Sequence, residues 1–114
     1  MPAALKILKI LRMDNFFDIQ NLPMGKEKIE ILAQSGGLRV ERIVSNRAAS
    51  PKDFWYDQRE DEKVWVLRGE AELEFEGGIK ILREGEGLLI KKHVRHRVKS
   101  TSGGCVWLAV FGNF

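Results

Sequence analysis

The second half of the chain consists of short apolar segments that are separated by glycine-containing turns. Residues 64–67 lead to Gly69, and in residues 70–76 apolar side chains alternate strictly with glutamates. Such alternation is typical of half-buried β-strands, and Gly77-Gly78 has the composition of a two-residue hairpin turn. Further apolar segments follow at 79–82, 88–90, 94–98 and 105–111. Many short strands with glycine turns predict an all-β sandwich or barrel.

The first half of the chain continues this pattern less regularly. Segments 28–32 and 38–44 flank the turn Ser35-Gly36-Gly37 and predict a β-hairpin, and the aromatic-rich segment 54–58 is expected to be extended. Pro23 and Gly25 interrupt the chain before the hairpin. We therefore expect an N-terminal extension over residues 1–25 and a single domain over residues 26–114.

The extension has a composition of its own. Lys6, Lys9 and Arg12 gather on one side of a helical wheel, and the apolar residues between them spread over the other side. This pattern predicts an amphipathic helix that packs on the barrel or on a second subunit. The basic residues also interrupt every apolar run, which argues against a secretory signal, so we expect a cytoplasmic protein.

Charge and cysteine content exclude several functional classes. The 19 lysines and arginines exceed the 16 aspartates and glutamates by three, which is a weak basic excess for a nucleic-acid-binding protein. No apolar run approaches the roughly 20 residues that a membrane-spanning helix needs. Cys105 is the only cysteine and lies in an apolar segment, so we expect a buried, unreactive thiol. Nucleic acid and membrane are therefore both improbable partners.

Glu62 with Gly69, and Gly85 with His96, stand at spacings that resemble the two motifs of the cupin family. The first family motif is G-x5-H-x-H-x3-4-E-x6-G, and its end is present as Glu62 and Gly69. Its two histidines are replaced by Trp55 and Asp57 if the spacer has four residues, or by Tyr56 and Gln58 if it has three.

The second family motif is G-x5-P-x-G-x2-H-x3-N, of which this chain keeps Gly85 and His96. Lys91 stands at the proline, His93 at the second glycine and Ser100 at the asparagine. The resemblance covers roughly residues 38–111 and implies a double-stranded β-helix (jelly-roll) barrel, often with one metal ion inside.

Strand alternation supports two of these residues independently of the resemblance. His96 shares a strand face with Val94 and Val98, and Glu62 shares one with Val64 and Val66, so both side chains are expected to point inward. The predicted metal site consists of Glu62 and His96 with Asp57 or Gln58. Oxygen ligands with one imidazole suit manganese, iron or zinc.

The neighbouring residues predict a substrate pocket. Trp55 and Tyr56 are expected at its mouth, and His93 is either an alternative ligand or a polar wall of the pocket. Trp65 and Leu67 lie on the opposite face from Val64, and such an outward apolar patch predicts a homodimer contact.

Three functions remain open from the sequence. The first is a cupin that binds a divalent metal and a small acidic or oxygenated molecule, with metal-dependent enzyme chemistry as one possibility implied by the resemblance. The alternative is a non-catalytic, metal-free cupin used for ligand sensing or as a structural module. A nucleic-acid-binding barrel ranks last, because the basic run 91–99 has no interleaved aromatic residues.

Overall fold

A computed structural model describes residues 2–114, which form one short helix and eight strands. In chain order these elements are α1 (Ala3–Ile10), β1 (Lys26–Ser35), β2 (Leu38–Asn46), β3 (Asp61–Arg68), β4 (Ala71–Phe75), β5 (Gly78–Leu82), β6 (Gly87–Ile90), β7 (His96–Thr101) and β8 (Cys105–Gly112). One sheet has the strand order β1-β2-β8-β3-β6 and the other β5-β4-β7, and neighbouring strands are antiparallel throughout. The all-β prediction is confirmed.

The first hairpin is longer than its sequence pattern indicated. Strands β1 and β2 pair from Lys26 and Asn46 to Ser35 and Leu38, which leaves Gly36 and Gly37 as a two-residue loop. Gly36 has a φ of 57°, a left-handed conformation that glycine adopts without a steric penalty. The glycine pair therefore determines where the chain reverses.

Gly69, the last residue of the first motif, joins β3 to β4 where no side chain fits. Its φ is 85°, and a Cβ atom added there would lie 2.5 Å from Ser102 Oγ and 3.1 Å from Cys105 Cα. Glycine is required by both the backbone conformation and the close approach of β8.

The core lies between the two sheets. Alternation along the strands turns one set of apolar side chains inward, including Val64 and Val66, which are 1% and 0% exposed. The inward orientation predicted for these two residues is therefore confirmed. Their core neighbours are Ala71, Leu73, Leu82, Ile90, Cys105, Trp107, Ala109 and Phe111.

Two predicted strands differ from the structure. β7 begins at His96, and Val94, which we expected to share the inward face of His96, is 41% exposed. The reason is a turn in which His93 has a φ of 64° and Val94 N donates to Lys91 O. Residues 54–58 form no continuous strand and contribute a single bridge between Tyr56 and His96.

The N-terminal extension contains the predicted amphipathic helix, but α1 does not pack on the barrel. None of its residues is buried, and Ile7, Leu8 and Ile10 are 54%, 64% and 75% exposed. The chain that follows is held more firmly, because Arg42 Nη1 donates to the carbonyl oxygens of Phe16 and Asp18, each at 3.0 Å. The expectation of packing on the barrel is thus wrong, whereas packing on a second subunit stays a prediction.

The helical content bears on the membrane question as well. Across residues 2–114, no helix has the length and apolar character needed to cross a bilayer.

Candidate functional site

The interior of the barrel holds a cavity of about 210 Å³ between the two sheets. One part of its wall is apolar and formed by Ile29, Ile43, Val64, Leu73, Ile90, Val98, Trp107 and Phe111. The other part is polar and formed by Glu27, Arg39, Glu41, Tyr56, Gln58, Glu62 and His96. An apolar cavity with a few converging polar groups is the usual form of a small-molecule site.

Glu62 enters the cavity from the start of β3. Alternation places its side chain on the face of Val64, and the residue is only 7% exposed. Its carboxylate accepts no hydrogen bond from residues 2–114; the nearest basic group is His96, with Nε2 at 3.7 Å from Oε1. A buried carboxylate without hydrogen bonds is costly, so this group is available to a ligand.

His96 faces Glu62 from the first position of β7 and is 4% exposed. Its backbone is held by Tyr56, since His96 N donates to Tyr56 O at 3.2 Å and Tyr56 N donates to His96 O at 2.7 Å. Nδ1 lies 2.9 Å from Val94 O, and because a carbonyl only accepts, Nδ1 carries the proton. In the neutral ring, Nε2 therefore presents a lone pair toward Glu62.

Tyr56 and Gln58 complete this part of the wall; one residue separates them, so both lie on the same side of the extended chain. The Tyr56 ring stacks on the imidazole of His96 at a centroid distance of 5.3 Å. Burial, followed by the charges of Glu27, Glu62 and Glu41, raises the pKa of the Tyr56 phenol, so it stays protonated and can donate. Gln58 Oε1 is buried and has no hydrogen-bond partner among the residues described.

The remaining predicted site residues lie outside the cavity. Asp57 Oδ1 is 2.7 Å from His93 Nδ1, and both side chains are more than half exposed. Trp55 packs under the guanidinium groups of Arg95 and Arg97, at 5.4 and 5.9 Å from the ring centroid. Alternation explains the difference, because Trp55 and Asp57 point away from the side on which Tyr56 and Gln58 meet Glu62.

His93 has a structural part in this arrangement. It stands at the glycine position of the second motif and has a left-handed backbone, as that position requires in a turn. His93 N donates to Gln58 O at 2.8 Å, which connects the turn to the cavity wall. The structure thus places His93 beside the site without bringing its ring into the cavity.

Three polar cavity residues, Glu27, Arg39 and Glu41, come from the first hairpin, and sequence reasoning missed them. Arg39 Nε donates to Glu41 Oε2 at 2.7 Å, and Nη1 donates to Glu60 Oε1 at 3.0 Å. Glu27 lies on β1, and burial together with the charge of Glu41 raises the pKa of its carboxyl group. Strand alternation places Arg39 and Glu41 on the face of Ile43, and Glu27 on the face of Ile29, which is the sequence pattern that could have identified them. Charged residues on both faces of the hairpin obscure this pattern.

The polar wall of the cavity includes few strong ligands for a divalent metal ion. Among residues 2–114 there is no group of three or more histidine, cysteine, aspartate and glutamate side chains that could hold an ion. Glu62 and His96 are two strong metal ligands that face each other, and Gln58, which lines the same cavity, has a buried amide oxygen without a hydrogen-bond partner among residues 2–114. This mixed oxygen and imidazole set fits a hard or borderline divalent ion, with fewer strong ligands than most such sites have.

Cys105 takes no part in the site. It is fully buried, and burial raises the pKa of its thiol to about 12. The predicted burial of this thiol is confirmed. A thiol with so high a pKa forms almost no thiolate near neutral pH, which agrees with the expectation of low reactivity.

Two antiparallel sheets enclosing a polar-walled cavity define the class of double-stranded β-helix barrels. The family model described as "Cupin domain" matches residues 44–111, and the chain belongs to the cupin family. A comparison with functionally curated proteins found no match.

Solved structures give the same result. A Ralstonia eutropha protein described as a "putative mannose-6-phosphate isomerase" is 41% identical, with a TM-score of 0.81 over 91% of this chain and 100% of that one. KdgF from Halomonas sp. is 21% identical, with a TM-score of 0.69 over 83% and 86% of the two chains. An RmlC-like cupin from Shewanella frigidimarina is also 21% identical, with a TM-score of 0.67 over 85% and 84%. The last two show the fold alone.

Proposed function

We propose that the barrel cavity binds a small oxygenated molecule together with a divalent metal ion held by Glu62, His96 and Gln58. One observation carries this proposal: Glu62 Oε1 and His96 Nε2 face each other at 3.7 Å, and neither has a hydrogen-bond partner within residues 2–114. Two facing acceptors without donors, with the unpartnered Gln58 Oε1 on the same cavity wall, favour a cation or a donor-rich ligand. Manganese, iron and zinc are the metals that this donor set suits.

The chemistry of the site follows from the positions of its side chains. A bound divalent ion would polarise a carbonyl or hydroxyl oxygen and stabilise negative charge that develops there. Tyr56 holds its proton and is placed to donate to an oxygen atom in the cavity. The apolar wall, which includes Trp107 and Phe111, excludes water and strengthens these polar interactions.

Enzyme activity is the finer part of the proposal. It is supported by the Ralstonia eutropha protein, which is described as an isomerase and aligns over its whole length with this chain. With Glu62 and His96 engaged as metal ligands, proton donation in the cavity would fall to Tyr56, which lines it and holds its proton.

Metal analysis of protein purified without an affinity tag tests the proposal. We expect stoichiometric manganese, iron or zinc in the wild type and at least about a tenfold loss of affinity in His96→Ala, because one of two strong donors is removed. His93→Ala is the matched control, since it removes the other histidine outside the cavity. Equal metal content in both variants, or no metal after supplementation with all three ions, would contradict the proposal.

A metal-free binding module is the second candidate, and the small number of strong donors favours it. In that case the same acceptors bind hydroxyl groups of the ligand directly. The two candidates separate in a thermal shift experiment on chelator-treated protein. Ligand stabilisation that survives chelation supports the metal-free module, and stabilisation that requires restored metal supports the first candidate.

We also propose a homodimer that buries the outer face of the larger sheet. Trp65, Leu89 and Phe114 form an apolar patch there, and Leu89 and Phe114 are 45% and 52% exposed. Light scattering should give twice the chain mass for the wild type and a smaller mass for Trp65→Lys. Trp55→Lys, on a different surface, should stay dimeric, and a monomeric wild type would remove this proposal.

A further inference from the structure

The charges around the cavity are unbalanced. Three carboxylates line it, those of Glu27, Glu41 and Glu62, and the only lysine or arginine side chain among residues 2–114 that joins them is Arg39. The cavity opens beside β1, where the lining residues Glu27 and Ile29 are exposed, Ile29 by 55%. A ligand that enters beside β1 therefore passes the carboxylate of Glu27.

The positive charge of Arg39 is already engaged. Its guanidinium bonds to Glu41 at 2.7 Å and to Glu60 at 3.0 Å, and it stacks on the Phe111 ring at 4.3 Å from the centroid. Two carboxylates thus neutralise the charge of one guanidinium through its Nε and Nη1 atoms, which weakens its attraction for an incoming anion.

The basic residues near His96 do not compensate for this. Lys91, Arg95 and Arg97 pair with Asp61, Glu76 and Glu74, and none of the three lines the cavity. These three basic residues therefore supply no positive charge to the cavity wall.

The deep end of the cavity indicates what a ligand must offer. The Glu62 side chain is nine-tenths buried, lines the cavity and receives no hydrogen bond within the described chain. His96 Nε2 and Gln58 Oε1 are likewise acceptors without donors. A fitting ligand therefore donates hydrogen bonds or carries positive charge.

We infer that the cavity, without a bound metal ion, selects an uncharged or cationic ligand rich in hydroxyl or amino groups and rejects phosphorylated or carboxylated molecules. This inference rests on the metal-free candidate of the proposed function, because a divalent ion on Glu62 and His96 would itself satisfy the acceptors that select the ligand. The volume of about 210 Å³ is below the roughly 300–1,000 Å³ of typical ligand pockets, which limits the ligand to about one sugar ring.

The test is a charge series on one skeleton: mannosamine, mannose and mannose 6-phosphate. Binding to the full chain is measured by calorimetry after any metal has been removed by chelation. We expect the cationic and uncharged sugars to bind at least about tenfold more tightly than the phosphate ester, since like charges oppose each other in a partly desolvated site. Tightest binding of mannose 6-phosphate, or no binding of mannose and mannosamine, overturns the inference.

Two double variants test whether the cavity carboxylates cause the weak binding of mannose 6-phosphate. Glu27→Gln with Glu41→Gln should raise the affinity for mannose 6-phosphate by about tenfold or more, because it removes two carboxylates and frees Arg39. Glu72→Gln with Glu76→Gln changes the net charge equally outside the cavity and should leave that affinity within about twofold. Equal gains in both double variants overturn the inference.

The two proposals fail in distinguishable ways. If His96→Ala and His93→Ala retain the same metal while the order of the three sugars holds, only the metal part of the proposed function fails. If the metal result holds and mannose 6-phosphate binds most tightly, only the ligand class is wrong.

Discussion

Two consecutive carboxylates at the start of β3 are both buried, yet their surroundings are opposite. Asp61 is 1% exposed and accepts from Lys92 N and Phe114 N, each at 2.8 Å, and from Lys91 Nζ at 3.0 Å. Glu62 is 7% exposed and accepts no hydrogen bond from residues 2–114. Alternation along the strand sends the first to the rim of the sheet and the second into the cavity.

This contrast shows that burial alone does not identify a functional carboxylate. Asp61 ties the chain end and the turn after β6 to β3, so its charge is used within the fold. The backbone hydrogen bonds from Lys92 and Phe114, with Lys91, lower the pKa of Asp61 to about 2. Glu62 has no such partners, and its unmet hydrogen-bonding capacity is what makes it a candidate ligand.

Replacing Asp61 should have the largest effect on stability. Asp61→Asn keeps the shape but removes the charge, and one amide oxygen cannot serve three donors as two carboxylate oxygens do. We expect a clear fall in Tm, the largest of the variants described below, with metal content unchanged per folded molecule. Thermal unfolding followed by circular dichroism measures it, and an unchanged Tm would contradict the structural role.

Glu62→Gln should show the reverse behaviour. Affinity for manganese should fall by about tenfold or more, because a charged ligand becomes a neutral one. The free energy of unfolding should stay the same or rise slightly, since an unpaired buried charge is removed. A marked loss of stability with intact metal binding would place Glu62 in the same class as Asp61.

The two carboxylates should also differ in acid. The folded-state pKa of Asp61 is about 2, below the ordinary 3.8, so its contribution to stability is complete above about pH 4 and is lost as the pH falls toward 2. The difference in Tm between the wild type and Asp61→Asn should therefore narrow between pH 4 and pH 2. A difference that is the same at pH 7 and pH 2 would contradict this assignment.

A second adjacent pair gives the smallest expected effect. Gln58→Ala should weaken metal or ligand binding by roughly threefold to tenfold, because one uncharged acceptor is lost from the cavity wall. Asp57→Ala removes only the exposed contact with His93 and should leave affinity unchanged. Calorimetric titration of both variants provides the comparison, and a larger loss in Asp57→Ala would reverse our assignment of inside and outside.

Strand alternation explains why much of the fold could be predicted. Apolar residues at every second position fit one buried face, so the strands of residues 64–90 follow from local chemistry. The same alternation predicts that Glu62 and His96 point inward, as they do. Gly69 is equally local, because its turn needs a positive φ.

The parts that could not be predicted depend on contacts between distant segments. The sequence allowed either Trp55 and Asp57 or Tyr56 and Gln58 beside Glu62, because both pairs have the alternation of an extended chain. The bridge between Tyr56 and His96, two residues 40 positions apart, determines that Tyr56 and Gln58 are the pair that lines the cavity. A register shift of one residue would have exchanged the two pairs.

The amino-acid sequence by itself determined an all-β barrel of one family, two inward-pointing donors and an unreactive cysteine, since periodicity and glycine turns are local properties. Only the tertiary structure decided that Asp61 is satisfied while Glu62 is not, and that Glu27, Arg39 and Glu41 form part of the cavity wall. The physical reason is that hydrogen-bond satisfaction and the balance of charge depend on which strands lie side by side, and alternation along one strand does not specify its neighbours.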